Sequence, residues 1–480
     1  MSQFDLSRTL SWTRALQALA ADDAATLAML SDLQGNILKG HGRDHTANVF
    51  LTFKSGAAAA ERARAFLREM GEQLPSALDQ LTGAQIFKAS GEDAGTFVAA
   101  FLSAAGYNAL GLQDLLPTGD AFRAGMKQRQ GVLQDPAATA WDAHLADSVH
   151  AMVLFANDDK VALARDLARL QQRIADSGGA ITVLGIEEGV AHRNSDGQGI
   201  EHFGYVDGRS QPLMLDEDLK KEAGTGGIDQ WNPAVPLSQV LVTCPGGGLD
   251  VSFGSYFVFR KLEQNVRGFK KREIALAAVM EQQSGNNPGE LAGAYVVGRF
   301  ENGTPTLLHD DEQPVGSEPN PVPNNFNYDG DPDGLRCPFA GHIRKTNPRD
   351  ATIQSNGRLM ARRGITYGAR QDDPNDGKLD NKPEGGVGLL FMAYQSSLED
   401  QFEFTQQSWA NNVGFHFRAP VQPVGIDPVI GQPPVGGSQR YPLAYGAGPM
   451  SQPFDFSGFV TMKGGEYFFA PCRSFFKRLP

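Results

Sequence analysis

"VHAMVLFANDDKVALARDLARLQQRIADSGGAITVLGI", residues 149–186, decides the fold class. "VHAMVLFA" is an apolar run of strand length. Residues 159–176 then place Leu163, Leu167, Leu170 and Ile174 on one helical face, and "AITVLGI" is a second strand. A helix with one apolar stripe must bury it, and flanking strands offer a sheet to bury it against. Working upstream, "ANVFLTF" (47–53) reads as a strand, 57–71 as an Ala-rich helix, and "AQIFKAS" and "TFVAAFL" as two more strands. Downstream, "GSYFVFRKL", a helix over 268–282, "AYVVGRF", "GVGLLFMAYQ", a helix over 398–410 and a final strand pair in "FSGFVTMKGGEYFFAP" repeat the order of elements. The expectation is an α+β architecture, antiparallel sheets with helices on one face. A polar helical extension (1–30) precedes a first unit (31–223), a Gly/Pro-rich stretch (224–248) and a second unit (249–480).

Composition narrows the function. The chain has 480 residues, 41% of them hydrophobic and 20% charged, and its 55 Gly and 28 Pro imply long ordered loops rather than a bundle. A net charge of −12 gives a nucleic-acid role no electrostatic support and favours neutral or cationic small substrates. Cys244, Cys337 and Cys472 are odd in number and far apart, which suits a reducing compartment and not a disulfide framework. "MSQFDLSRTLSWTRALQ" has neither an apolar h-region nor a twin-arginine pair, and stretches such as "AMVLFA" are too short to cross a bilayer. A cytoplasmic protein without a membrane span is expected, its oligomeric state open.

Several motifs fall away. "HGRDH" spaces His41 and His45 four apart, but it precedes a strand in a loop and lacks the metalloprotease Glu. "DGDPDG" (329–334) starts like a calcium loop, yet Ala340 stands where a bidentate Glu is needed. Around Cys337 the spacing differs from the cysteine ligand loop of cytochromes P450, since Arg336 abuts the cysteine. No phosphate-binding Gly-rich loop or G-x-S-x-G elbow is found.

Three stretches carry chemistry together. "RCPFAGHIRKTNPRD" (336–350) sets His342 among Arg344, Lys345 and Arg349. In "EHFGYVDGRSQP" (201–212), Gly204 and Gly208 let a tight turn aim Asp207. "RLMARRGITYGAR" (358–370) presents Arg362 and Arg363 before another turn. Singly each has a bland reading: a turn former, a solvated arginine pair, a packed histidine.

In order along the chain, "DLQGNILKGHGRDH", "GYVDGRSQP", "RCPFAGHIRKTNPR", "RRGITYG", "GLLFMAYQ", "GIDPVIGQ" and "GGEYFFAP" closely resemble the dye-decolourising peroxidases, in particular their long, leaderless subgroup. The resemblance runs from about residue 32 to residue 471. It implies two ferredoxin-like domains with haem b in the C-terminal half and His342 as iron ligand. It places the carboxylate behind that imidazole on Asp427, with Asp400 and Glu403 weaker candidates. It assigns peroxide proton transfer to Asp207 and charge stabilisation to Arg362, since Arg362 rather than Arg363 fits the family spacing before "TYG". Leu389 and Phe391 would form an apolar distal wall. For the haem propionates Arg209, Arg260, Arg344, Lys345 and Arg349 are candidates. The implied activity is reduction of hydrogen peroxide with oxidation of dyes, phenols and lignin-like compounds through high-valent (ferryl) iron. With Asp, whose ordinary pKa is about 3.9, as the shuttle, an acidic optimum of roughly pH 3–5 is expected. Trp409, Tyr367 and Tyr394 are conceivable radical relays, with core packing the better reading. The rival readings are a haem carrier and an enzyme that modifies haem itself, in the manner of a deferrochelatase; neither requires Asp207 beside Arg362.

Overall fold

The computed structural model describes residues 4–17, 21–314, 322–370, 372–432 and 438–480. Its principal sheet follows a path of eight antiparallel strands. The first half contributes β1 (His45–Phe53), β2 (Phe97–Leu102), β3 (Ala151–Asn157) and β4 (Ile181–Val190). The second contributes β5 (Phe253–Gln264), β6 (Ile365–Tyr367), β7 (Gly388–Gln395) and β8 (Val460–Ala470). Along the sheet the order is β6-β7-β5-β8-β2-β3-β1-β4. Each half therefore reads second, third, first, fourth, which is the ferredoxin-like order, and the chain repeats it without repeating its residues. The halves join where Phe469 of β8 pairs with Leu102 of β2. At the other end the Thr366 hydroxyl of β6 donates to the Val190 carbonyl of β4, which closes the sheet into a barrel.

Strand alternation explains how the barrel is filled. In β3 all seven positions are buried, because both faces of the sheet are covered. Met152 and Leu154 point inward with Phe50, Phe101, Phe257, Phe259 and Phe468. Inside, the Phe101 and Phe257 rings lie 4.3 Å apart and Phe257 and Tyr394 4.7 Å apart. Val153 and Phe155 point outward, to the core roofed by α1 (Ala57–Gly71) and α2 (Lys160–Asp176). Helix α2 begins where the sequence pattern puts it: Asp159 Oδ1 accepts from the Val161 amide at 2.8 Å, and Leu163, Leu170 and Ile174 are buried.

Three expectations are corrected. "AQIFKAS" is not a strand but the end of a helix, Ala77–Ser90, started by a capping box: the Asp79 amide donates to Ser76 Oγ at 3.0 Å and the Ser76 amide to Asp79 Oδ2 at 2.9 Å. "AYVVGRF" is likewise helical, Leu291–Val297, stopped by Gly298 at φ +97°. The helix expected over 398–410 is present, in a wide π-type form over Leu398–Glu403 and Thr405–Ala410. The expected final strand pair is one strand, β8, with a shift in register between Met462 and Gly464. The N-terminal extension contains helices Trp12–Gln17 and Ala21–Asp32, and its residues 1–3 and 18–20 lie outside the described ones. Cys244 and Cys472, 228 positions apart, meet with their sulfurs 2.8 Å apart, although all three cysteines are free thiols.

In the second half the outer sheet face does not pack fully against its helices. Between β5 and β7 on one side and the 201–211 segment, the short α3 (His342–Thr346) and the 402–432 segment on the other, the chain leaves a deep cavity.

Candidate functional site

Arg260, Leu262 and Gln264 all face this cavity, because alternate residues of a strand share a side. Their β7 neighbours Leu389 and Phe391 extend the same wall, Leu389 paired with Leu262 and Phe391 with Arg260. Phe402, Val429, Ile430 and Val460 add apolar surface. The cavity is thus broad, flat-walled and largely hydrocarbon.

His342 enters from the opposite side at the first position of α3. Its Nδ1 donates to Asp427 Oδ2 at 2.9 Å, with Oδ1 at 3.1 Å. Asp427 has no exposed side-chain surface, and its Oδ1 also accepts the Val429 and Ile430 amides at 2.8 Å each. Burial by itself would depress the imidazole, but the Asp427 charge and hydrogen bond outweigh it and raise its pKa. Because Nδ1 carries the proton to Asp427, Nε2 is the lone-pair nitrogen, the form a metal takes. The weaker carboxylate candidates are engaged elsewhere: Asp400 with Arg358 and Glu403 with Arg129 and Tyr467.

Asp207 sits at the cavity in the turn that Gly204 (φ +100°) and Gly208 (φ +80°) permit. Its Oδ1 accepts the Gly208 amide at 2.6 Å. Arg362 lies on a two-residue strand beside β7 and donates from Nη2 to the Arg209 carbonyl at 2.6 Å, so the guanidinium is tied to the Asp207 turn. Arg362 has no carboxylate partner among the described residues. Arg363 faces away and donates to the carbonyls of Asn36 and Ile37.

The basic residues divide in a way the sequence does not reveal. Arg344 and Lys345, expected near a bound anion, do not line the cavity. Arg344 forms a buried ion pair with Asp331 at 2.8 Å and donates to the Cys337 carbonyl. Lys345 donates to the carbonyls of Asn412 and Phe415. Arg260 and Arg209 do line it, but Asp135 neutralises the first and Glu222 the second, each through two nitrogens. Arg349 lines the cavity held only by neutral acceptors, including the Asn324 and Phe326 carbonyls, and burial lowers it to about 10. Arg299, which sequence reasoning missed, is similar: it donates to the Gly303 and Pro323 carbonyls at 2.8 Å, and burial lowers it to about 9. Neither has a carboxylate partner among the described residues. Two desolvated cations without counter-ions on an apolar cavity suit the acidic edge of a large flat ligand.

Glu201 was also missed. It lines the cavity six residues before Asp207, and its carboxyl accepts the Phe203 amide at 2.8 Å, the Tyr205 amide at 3.1 Å and the Gln264 carboxamide. Trp409, Tyr367 and Tyr394 are all buried, Tyr394 inside the barrel.

A carboxylate-backed imidazole, apolar walls and a pair of unpaired guanidiniums form the donor set a metalloporphyrin requires. Comparison with known proteins agrees. Residues 32–189 match the family described as the DyP dimeric alpha+beta barrel domain. The chain is 44% identical to the multifunctional dye peroxidase DyP2 of Amycolatopsis sp., over 99% of both chains. The solved DyP2 structure superposes with a TM-score of 0.90 at 42% identity, covering 98% of this chain and 99% of that one. A DyP-type peroxidase of Anabaena sp. superposes with a TM-score of 0.87 at 36% identity over the whole of both chains.

Proposed function

The chain belongs to the dye-decolourising peroxidases, haem enzymes that use peroxide to oxidise dyes and phenols, and from that premise we propose that it holds haem b on His342 and activates hydrogen peroxide with Asp207 and Arg362. Bound haem would supply the redox chemistry that links peroxide reduction to oxidation of the donor.

The residues divide the remaining work. His342 offers Nε2 to the metal, and Asp427, fixed by two amides, keeps that imidazole electron-rich. Arg299 and Arg349 neutralise the propionates. Asp207 has Oδ1 on the Gly208 amide, so Oδ2 takes the proton from the near oxygen of peroxide and returns it to the far one. Arg362, already hydrogen-bonded to the same turn, offsets the negative charge that develops as the O–O bond breaks. Leu389 and Phe391 keep water from the reacting atoms. Lignin-like phenols join the dyes as donors. Among the described residues no helix is long and apolar enough to cross a membrane, and the free thiols accord with a cytoplasmic enzyme. We place the unit boundaries near residues 31–223 and 249–480.

The observation that carries this reading is that His342, backed by Asp427, shares a single cavity with Asp207 and Arg362. An absorbance spectrum from 350 to 700 nm of haem-loaded protein tests it. A Soret band that bleaches with hydrogen peroxide and returns on adding 2,6-dimethoxyphenol is expected. A colourless protein, or a Soret band indifferent to peroxide, refutes the reading.

A further inference from the structure

One acid on the cavity wall has no task in the proposed reaction. Glu201 is half-buried, its remaining surface facing the same space as Asp207. The residues between them form a closed loop. The Gly204 amide donates to the Glu201 carbonyl at 2.9 Å, the Glu201 amide to the Tyr205 carbonyl at 3.2 Å, and the Asp207 amide to the Gly199 carbonyl at 3.0 Å. The Glu201 carboxyl occupies the inside of that loop, where it gathers the Phe203 and Tyr205 amides from the loop and the Gln264 carboxamide from β5. It therefore ties the backbone that carries Asp207 to the rigid sheet floor of the cavity.

We propose that Glu201 is the positioning residue of the distal site: its carboxyl folds the 201–207 loop onto β5, so aims Asp207, and a change in its charge is felt at Asp207. The proposal rests on the role given to Asp207 above.

The electrostatic setting supports it. Burial raises the Glu201 carboxyl to about 7 despite its three donors, and the Asp207 charge adds to the rise. The other charged or titratable groups facing the cavity are accounted for. Arg260, Arg209 and Arg358 are paired with Asp135, Glu222 and Asp400, the Tyr205 hydroxyl donates to Glu273, burial keeps the Tyr328 hydroxyl protonated, and Arg299, Arg349, Arg362 and His342 hydrogen-bond to partners other than Glu201. The Asp207 charge acts on Glu201 across the loop that the two residues share. Gln264 supplies a second sign. Its Oε1 is buried and without a hydrogen-bond partner. Turning the carboxamide over places that oxygen against Glu201, where a protonated carboxyl, or the amide of a glutamine, donates to it.

Three variants test this. In the haem-free protein, hydrogen exchange of the peptide spanning 203–207 should accelerate about tenfold or more in Glu201→Ala and return close to wild type in Glu201→Gln. In the haem-loaded protein, Glu201→Ala should slow Soret bleaching by peroxide about 10–100-fold, the cost of a misaimed group, and Glu201→Gln should recover most of that loss. The wild-type rate should carry an inflection near pH 7 that Glu201→Gln lacks. Wild-type exchange and wild-type bleaching in Glu201→Ala overturn the proposal, as does an inflection that persists in Glu201→Gln. Asp207→Asn separates the two readings. If it bleaches at the wild-type rate, the role of Asp207 fails, whereas the exchange result still reports on what Glu201 does to the loop.

Discussion

The Asp427 carboxylate takes a hydrogen bond from His342 Nδ1 at 2.9 Å while wholly shut off from solvent and gripped by the Val429 and Ile430 amides. A buried carboxylate so held cannot turn away, so the imidazole ring it receives is fixed in both tautomer and angle. Asp427→Asn should leave the fold intact, weaken haem retention or turnover about 10–100-fold, and raise the iron reduction potential. Haem titration and spectroelectrochemistry check this. His342→Ala should abolish axial ligation altogether, and a pigment still bound through the same axial nitrogen contradicts the assignment.

Asp207→Asn should keep the Soret band of the resting enzyme and lower the rate of its bleaching by peroxide roughly 10²–10⁴-fold. Arg362→Leu should do the same with a smaller loss, on the order of 10²-fold, because it removes charge stabilisation but leaves the proton shuttle. Stopped-flow absorbance at several peroxide concentrations separates slower binding from slower cleavage. A double variant no slower than Asp207→Asn alone indicates that the two act as one unit.

Arg349 and Arg344 lie five residues apart and should respond differently. Arg349→Leu should weaken haem binding about tenfold or more, and the difference from wild type should vanish when haem dimethyl ester replaces haem, since the ester has no propionate charge. Arg344→Leu should instead unfold the protein more readily by about 3–5 kcal/mol, because it strands buried Asp331. Chemical denaturation of the haem-free variants gives the comparison.

Acid should weaken the fold itself. His202 is buried, its Nε2 2.8 Å from the Tyr367 carbonyl, and burial lowers its pKa from 6.5 to about 3. Between those two values the unfolded chain binds a proton that the folded one refuses, so stability falls as pH drops from about 6.5 towards 3. The loss is at most on the order of 5 kcal/mol from this side chain. His202→Gln should flatten the melting temperature between pH 6.5 and 4, and a slope equal to wild type contradicts it. The acid that favours an aspartate shuttle thus works against the barrel.

Much of this was legible in the sequence, and the misses share a cause. Helix α2 and strand β3 were readable because Leu163, Leu170 and Ile174 repeat at helical spacing and "VHAMVLFA" is apolar throughout. "AQIFKAS" and "AYVVGRF" misled because a short apolar run has no period of its own, and the deciding signals lay outside it, in Ser76 with Asp79 and in Gly298. At the site, His342, Asp427, Asp207 and Arg362 were reachable only through the ordered set of motifs. Arg344 and Arg260, offered as anion binders, meet carboxylates that the local sequence does not show, Asp331 and Asp135, 13 and 125 residues away. Nothing local distinguishes Arg299 from any arginine before a turn. Glu201 did leave a trace, an acid two and four residues ahead of the amides it holds.

The two seams of the barrel, Phe469 beside Leu102 and Thr366 beside Val190, make each half finish the other's hydrogen bonding. Neither half is a module that can be cut out. Expressed alone, either would bare two raw strand margins and a lining of phenylalanines, and would be expected to clump with its own copies rather than stay in solution. The two halves are obligate partners within one polypeptide.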